Sequence, residues 1–294
     1  MQSNKPKFAI FGNNYQVKKA ASAEHLLTVL QGSGADFCIE NQFHGFLTSV
    51  LHLRLDSVER FDRTEQTDAD IAISMGGDGT FLETADYVRG TNMPVLGINT
   101  GHLGFLADVN DSEIDETISE IISKQYRIEE RTNLQLVCPE YSESPFALNE
   151  ISVLKHDISS MINIHTEVNG EYITTYRADG LIVCTPTGST AYSLSNGGPI
   201  VVPQSSSFLL TPVAPHSLGI RPIVINDNSV IDLTVESRSG SFLISVDGRS
   251  ERCTSGMKLT LRKAPHTTKI VRRERQSFFH TLKDKLMWGA DSRS

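Results

Sequence analysis

The chain is short of cysteine, of long apolar runs and of basic residues, and each shortage closes off a class of protein. Its four cysteines, Cys38, Cys138, Cys184 and Cys253, are spread over 294 residues with no CxxC pair. That excludes a zinc ribbon or a dithiol redox motif and predicts reduced, structural thiols. No stretch of roughly 18 apolar residues occurs, so no membrane span is expected. The residues ahead of Phe8–Phe11 hold no apolar segment of signal-peptide length, which makes cytoplasm the default location. Basic residues are in the minority: 27 Lys and Arg against 35 Asp and Glu leave a net charge of −8. This argues against a general nucleic-acid binder, though not against a small anionic ligand, whose site needs only local donors. The common signatures G-x-x-x-x-G-K-[ST], G-x-G-x-x-G, H-E-x-x-H and G-x-S-x-G are all missing. No protein-borne metal site is expected.

Hydrophobic residues make up 39% of the chain and charged residues 21%, values typical of a globular protein long enough for two cores. The first part alternates. Strands are predicted at Lys7–Phe11, Asp36–Ile39, Ile71–Met75 and Met93–Ile98. Helices are predicted at Val17–Leu30, Phe43–Leu55, Phe81–Val88 and about Ser112–Ser123, the last from the spacing of Ile114, Ile118, Ile121 and Ile122. Such alternation predicts a parallel, Rossmann-like sheet flanked by helices over residues 1–125.

From Tyr126 the texture becomes all-β. Strands are expected at Leu134–Cys138, Ile151–Leu154, Ile162–Val168, Tyr172–Tyr176, Leu181–Cys184, Val230–Val235 and Phe242–Val246. Asn169-Gly170 marks a tight hairpin, and one short helix fits near Ser189–Asn196. A sandwich-like second domain over residues 126–269 is the prediction. A C-terminal helix over 270–290, headed by Arg272-Arg273-Glu274-Arg275 with solvated charges, is expected to return to the first domain or to pack on a neighbouring subunit.

Three segments carry chemistry. Gly76-Gly77-Asp78-Gly79-Thr80 joins a short apolar strand to a helix. Glycines there let backbone N–H groups reach a phosphate without Cβ obstruction, which makes Gly76, Gly77, Gly79 and Thr80 candidates for a phosphate cradle. A carboxylate repels phosphate unless it accepts a proton or helps hold a metal, so Asp78 is either a chemical residue or a simple helix cap. Asn149-Glu150 pairs an amide with a carboxylate, a set suited to adenine edges and ribose hydroxyls but also ordinary in turns. Arg177–Pro199, reading RADGLIVCTPTGSTAYSLSNGGP, sets hydroxyls, glycines and Tyr192 around one apolar strand. Tyr192 could line a planar ring, or the hydroxyls could merely cap a helix.

Together these segments resemble the NAD kinase family. Gly76–Thr80 looks like its GGDGT signature and Asn149-Glu150 like its Asn-Glu motif. Arg177–Pro199 is similar to its third motif over essentially the full length, while Asn99–Phe105 and His216–Val224 resemble two further segments. GGDGT alone is shared with diacylglycerol and sphingosine kinases; the third motif separates the families. The resemblance implies transfer of the ATP γ-phosphoryl group to the 2′-hydroxyl of the adenosine ribose of NAD, with Mg²⁺ or another divalent cation arriving on ATP. It implies that Asp78 is the acid–base residue and that Gly79 and Phe105 lie against NAD. Asn149, Glu150, Thr187, Thr190, Ala191, Tyr192, Ser193, Leu194 and Ser195 would surround the adenosine, with Arg177 and Asp179 touching the dinucleotide, Asp179 across a subunit boundary. Arg249 stands where many members carry another polar residue. His102 and His216 are motif positions expected to be structural. A homodimer or homotetramer is implied, with no membrane or nucleic-acid partner. The readings set against this are a lipid kinase built on the same turn and a non-catalytic NAD sensor.

Overall fold

The computed structural model describes residues 5–12, 20–101, 103–139, 144–157 and 160–287. The chain divides into two compact units, Met1–Glu130 with Thr268–Ser294, and Arg131–Thr267.

The first unit runs β1 (Phe8–Gly12), α1 (Ala20–Ser33), β2 (Phe37–Glu40), α2 (Asn41–Ser49), β3 (Glu59–Phe61), β4 (Ile71–Gly76), α3 (Asp78–Tyr87), β5 (Val95–Asn99), β6 (Val109–Asn110) and α4 (Ile114–Ile122). The sheet order β3-β2-β1-β4-β5 is parallel throughout. β1 and β4 are buried along their whole length, as expected of central parallel strands covered on both faces. The order reverses between β1 and β4, the position where open α/β sheets hold their ligands, and Gly77-Asp78 leaves the carboxyl end of β4. The helices differ in detail from the sequence prediction. Val17, Lys18 and Lys19 lie outside the described residues. α2 stops at Ser49 rather than Leu55; the buried Glu40 carboxylate starts it by accepting from the Phe43 N–H at 2.9 Å. α4 buries Ile114, Ile118 and Ile121 on the face the spacing predicts.

The second unit opens in β7 (Tyr126–Val137), which begins in the first, and continues through β8 (Phe146–Ala147), β9 (Glu150–Lys155), β10 (Ile162–Val168), β11 (Glu171–Ala178), β12 (Gly180–Cys184), α5 (Tyr192–Ser195), β13 (Ser207–Val213), β14 (Ile223–Asn226), β15 (Ile231–Glu236), β16 (Ser241–Val246), β17 (Arg249–Thr254) and β18 (Lys258–Arg273). One antiparallel sheet runs β14-β13-β12-β9-β16-β17, and within this unit β11-β10-β15-β18 forms another. Alternate residues of the first, such as Ile151, Val153, Leu181, Val183, Phe208 and Phe242, meet Ile162, Ile164, Leu233, Val235 and Leu259 of the second in one core. That is sandwich packing. The predicted Asn169-Gly170 turn is present, with φ of +54° and +77° as a type I′ hairpin requires. The short helix predicted near Ser189 is divided into a 3-10 turn, Thr187–Thr190, followed by α5.

The C-terminal stretch corrects the sequence reading. Residues to Arg273 finish β18, and the helix α6 spans only Phe278–Leu286, capped by the Ser277 hydroxyl. Ile270 of β18 pairs in parallel with Val95 of β5. The β-branched run Thr267-Thr268-Lys269-Ile270-Val271 favours the strand. Arg272 and Arg273 are buried rather than solvated, at 5% and 3% exposure.

Candidate active site

Asp78 is the first residue of α3. Its Oδ2 accepts from the Phe105 N–H at 3.0 Å, and its Oδ1 accepts from Leu106 at 3.0 Å and Ala107 at 3.1 Å. Gly104 admits this arrangement, since a Cβ there would lie 2.0 Å from Oδ1. The loop is also held from its carbonyl side: Arg272 donates to the Phe105 and Leu106 carbonyls at 3.3 and 3.4 Å and pairs with Asp108 and Glu129. Oδ1 thus spends both acceptor positions on the loop, while Oδ2 keeps one.

The glycines beside Asp78 serve different needs. At Gly76 a Cβ would strike the Thr80 side chain at 2.3 Å, so packing demands glycine. At Gly77 and Gly79 a Cβ would meet nothing within 4 Å, and Gly77 has an ordinary φ of −101°. The fold itself does not require glycine at those two positions. Open volume lies over the first turn of α3, whose N-cap provides no side-chain hydrogen bond, so the geometry suits an anion approaching the N–H groups. Thr80 is buried, its carbonyl taking the Thr84 hydroxyl at 2.9 Å. Lys285 of α6 enters this site from far away in sequence: its Nζ is 3.6 Å from Asp78 Oδ2 and 4.8 Å from the centre of the Phe105 ring.

The second unit repeats the aspartate device. Asp247, at the β16–β17 turn, accepts from the N–H groups of Leu148, Asn149 and Glu150 at 2.8, 2.9 and 3.0 Å. Its own N–H returns to the Glu150 carbonyl at 3.0 Å, and it holds a left-handed φ of +46°. The Asn149–Glu150 backbone is thereby fixed. Glu150 Oε2 is buried with no partner among the described residues. Burial, with the Asp247 charge adding, pushes the Glu150 carboxyl up to about 8. Burial also raises Asp247, but its three N–H donors pull the other way. Of the two carboxyls, Glu150 is therefore the one that holds a proton. Opposite Glu150 in the sheet stands Cys184, whose thiol burial pushes to about 12, so it is inert.

Gly188 packs onto the Asn149 carbonyl, 2.2 Å from where a Cβ would be, and the Thr185 hydroxyl donates to the Leu148 carbonyl at 2.5 Å. The Asn-Glu segment and the Thr-Gly-Ser-Thr turn are thus one assembly. Residues 8–126 match the family model described as the ATP-NAD kinase N-terminal domain, and 148–273 that of the ATP-NAD kinase C-terminal domain. A protein named NAD kinase from Bacteroides fragilis is 55% identical over 289 residues, covering 98% of this chain and 99% of that one. The chain belongs to the NAD kinase family. A NAD kinase from Porphyromonas gingivalis is 43% identical over 284 residues, 97% of this chain and 98% of its own. The fold is shared with yeast NADH kinase complexed with NADH, at a TM-score of 0.87, 24% identity and 99% and 90% coverage of the two chains. It is shared also with a NAD kinase from Archaeoglobus fulgidus in complex with ATP, at a TM-score of 0.74, 24% identity and 96% and 98% coverage.

Against this family background, the residues singled out from sequence fall into distinct settings. Thr190, Ala191, Tyr192, Leu194 and Ser195 are open or half-open and free to meet a ligand. Thr187 and Ser193 are buried, Thr187 taking an Arg131 N–H at 3.2 Å and the Ser193 hydroxyl spent on Thr211 at 2.8 Å. Asp179 pairs with Lys155 at 2.7 Å. Arg177 lines a polar cavity of about 520 Å³ with Asn163, Glu236 and Arg238. Arg249 is exposed beside the Asp247-Gly248 turn, and His216 lends its N–H to the Arg177 carbonyl at 2.9 Å. His102 lies outside the described residues. The sequence reading missed Asp247, Arg272 and Lys285. An aspartate before glycine, in Val246-Asp247-Gly248, reads as a hairpin turn; nothing in the sequence shows that it grips a strand about a hundred residues earlier.

Proposed function

We propose that this chain is an ATP-dependent NAD kinase: it transfers the γ-phosphoryl group of ATP to the 2′-hydroxyl of the adenosine ribose of NAD, giving NADP and ADP. The observation that carries the reading is the turn of Gly76–Thr80, where open volume over a helix N-terminus adjoins a carboxylate with one uncommitted acceptor position. The full-length likeness to proteins named NAD kinase supports it.

Asp78 Oδ2 would accept the hydrogen bond, and in the transfer the proton, of the attacking 2′-hydroxyl. Its three N–H bonds fix the carboxylate's direction, so positioning is its larger contribution in a transition state where the proton moves late. The N–H groups of the Gly77–Thr80 turn would take the phosphate oxygens. Asn149, Glu150, Thr190, Ala191, Tyr192 and Ser195 would hold the dinucleotide, with Phe105 and Gly79 against it and Thr187, Ser193 and Leu194 supporting that wall. Glu150, protonated, offers a ribose hydroxyl both a donor and an acceptor. Arg177, Asp179 and Arg249 would complete the ligand contacts, with Asp179 reaching a neighbouring subunit of a homodimer or homotetramer. Among the described residues no three His, Cys, Asp or Glu side chains gather as a metal cage. The divalent cation, Mg²⁺, would come as part of MgATP and neutralise charge on the triphosphate. No helix among the described residues is long and apolar enough to cross a membrane, and a cytoplasmic place in NADP supply fits this activity.

The test is product identity. With NAD, ATP and Mg²⁺ the protein yields a dinucleotide phosphorylated at the adenosine 2′ position by ³¹P NMR, and chelation of Mg²⁺ stops the reaction. Phosphate appearing on a lipid alcohol instead, with none on NAD, would overturn the assignment.

A further inference from the structure

We propose that Lys285, on the C-terminal helix, is a catalytic residue that leaves Asp78 to grip the γ-phosphoryl group during transfer. The proposal rests on the kinase reading above. Within the first unit, the Asp78 carboxylate is already satisfied by three N–H groups at 3.0–3.1 Å. Lys285 Nζ stands 3.6 Å from Oδ2, beyond the length of a hydrogen bond. It makes no hydrogen bond among the described residues, so its three N–H donors are unspent. The contact is a charge pair between two partly open side chains, 32% and 30% exposed.

What brings the cation there is built into the fold. Ser277 caps α6, Leu282 and Thr281 are buried beneath it, and Phe278 meets Phe105 at 6.2 Å between ring centres. Lys285 falls in the last turn of α6, where a cation suits the helix dipole. Its stem runs past the Phe105 ring, with Nζ 4.8 Å from the centroid, a distance at which the ring face attracts the ammonium. Phe105 is also the residue whose N–H binds Asp78 Oδ2. The cation is held beside the carboxylate while keeping its donors for something more negative.

That something is the triphosphate. When the 2′-hydroxyl takes the open position on Oδ2, Lys285 is displaced toward the phosphate oxygens over Gly77 and Gly79. In the transfer the 2′-oxygen forms a bond to the γ-phosphorus and the bond from that phosphorus to the β,γ-bridging oxygen breaks. ADP departs, and the hydroxyl proton goes to Asp78 and then to water. Negative charge builds on the bridging and γ-oxygens, and a cation there acts on the transition state more than on the ground state. Lys285 lies 207 positions beyond Asp78, so only the fold reveals the pair.

Lys285→Met and Lys285→Arg in the full chain provide the test. Lys285→Met is expected to lower kcat/KM for MgATP by about tenfold to a hundredfold, with KM for NAD within about twofold. Lys285→Arg, which keeps the charge, is expected to recover most of the loss. By calorimetry the Met variant binds a non-hydrolysable MgATP analogue more weakly than the parent while binding MgADP equally well. The melting temperature of the Met variant is expected to stay with the parent; a helix-packing role would lower it and leave both comparisons unmoved. A Met variant with parental kcat/KM for MgATP, or equal impairment of the Met and Arg variants, overturns the proposal. A parent that makes no NADP points instead to failure of the kinase reading.

Discussion

A carboxylate that accepts three consecutive backbone N–H groups is spent as a structural clamp on one side and free on the other. Asp78 and Asp247 both have this form. For Asp78 the clamp depends on Gly104, where a Cβ would lie 2.0 Å from Oδ1. Gly104→Ala is therefore expected to cost on the order of 1–3 kcal/mol and to abolish most turnover, read by denaturant melts beside steady-state rates; parental kinetics would show that the loop bonds are dispensable. For Asp247, replacement by Ala strands three N–H groups. The expected result is a loss of on the order of 3 kcal/mol and a KM for NAD raised at least about tenfold, while KM for MgATP stays near the parent. Glu150 adds a pH signature. Its carboxyl is raised to about 8 in the fold from an ordinary 4.5, so the folded state holds a proton that the unfolded state releases earlier. This contribution to stability is complete below pH 4.5 and is lost as pH rises toward 8. The melting temperature of the ligand-free protein should fall across that window more steeply than that of Glu150→Gln; parallel curves would contradict a protonated Glu150.

At the scale of elements, β18 and α6 carry most of what tertiary structure adds. Arg273 meets Glu113, Glu116 and Glu120 from α4 and the residues leading into it, and the hydrogen bonds it donates to Glu120 and Glu116 raise its guanidinium. Arg272 joins Asp108 and Glu129 and steadies the Phe105–Leu106 loop. Arg272→Met leaves two buried acids short of their cation. About 3–5 kcal/mol of destabilisation is expected, together with slower turnover through the loosened loop; an unchanged denaturation midpoint would refute it. These elements also show where the sequence was legible. The strand-turn-helix of Ile71–Tyr87, the helix face of Ile114, Ile118 and Ile121, and the hairpin at Asn169-Gly170 are local patterns, and local physics fixes them. Arg272-Arg273-Glu274-Arg275 reads as a solvated helix start because its partners come from α4 and from loops more than a hundred residues away. The apolar strand Ser207–Val213 was passed over, since a short buried run without alternation carries no period. Asn149-Glu150 and Thr187–Ser195 stand out in the sequence for their hydrogen-bonding side chains. That Ser193 turns its hydroxyl to Thr211 instead of outward depends on sheet pairing.

For the molecule as a whole, an α/β unit supplies an acid beside the open first turn of α3, and a β sandwich supplies an Asn-Glu and hydroxyl assembly held by hydrogen bonds. Membership of the NAD kinase family fits phosphoryl transfer to a dinucleotide. The most direct measurement is the rate of NADP formation from NAD and MgATP by the parent and by Asp78→Asn. The account predicts robust formation in the parent and a kcat lower by about 10²–10⁴-fold in the variant, with KM for NAD within a few-fold. A near-parental kcat in Asp78→Asn would contradict it, as would a folded, NAD-binding parent that forms no NADP.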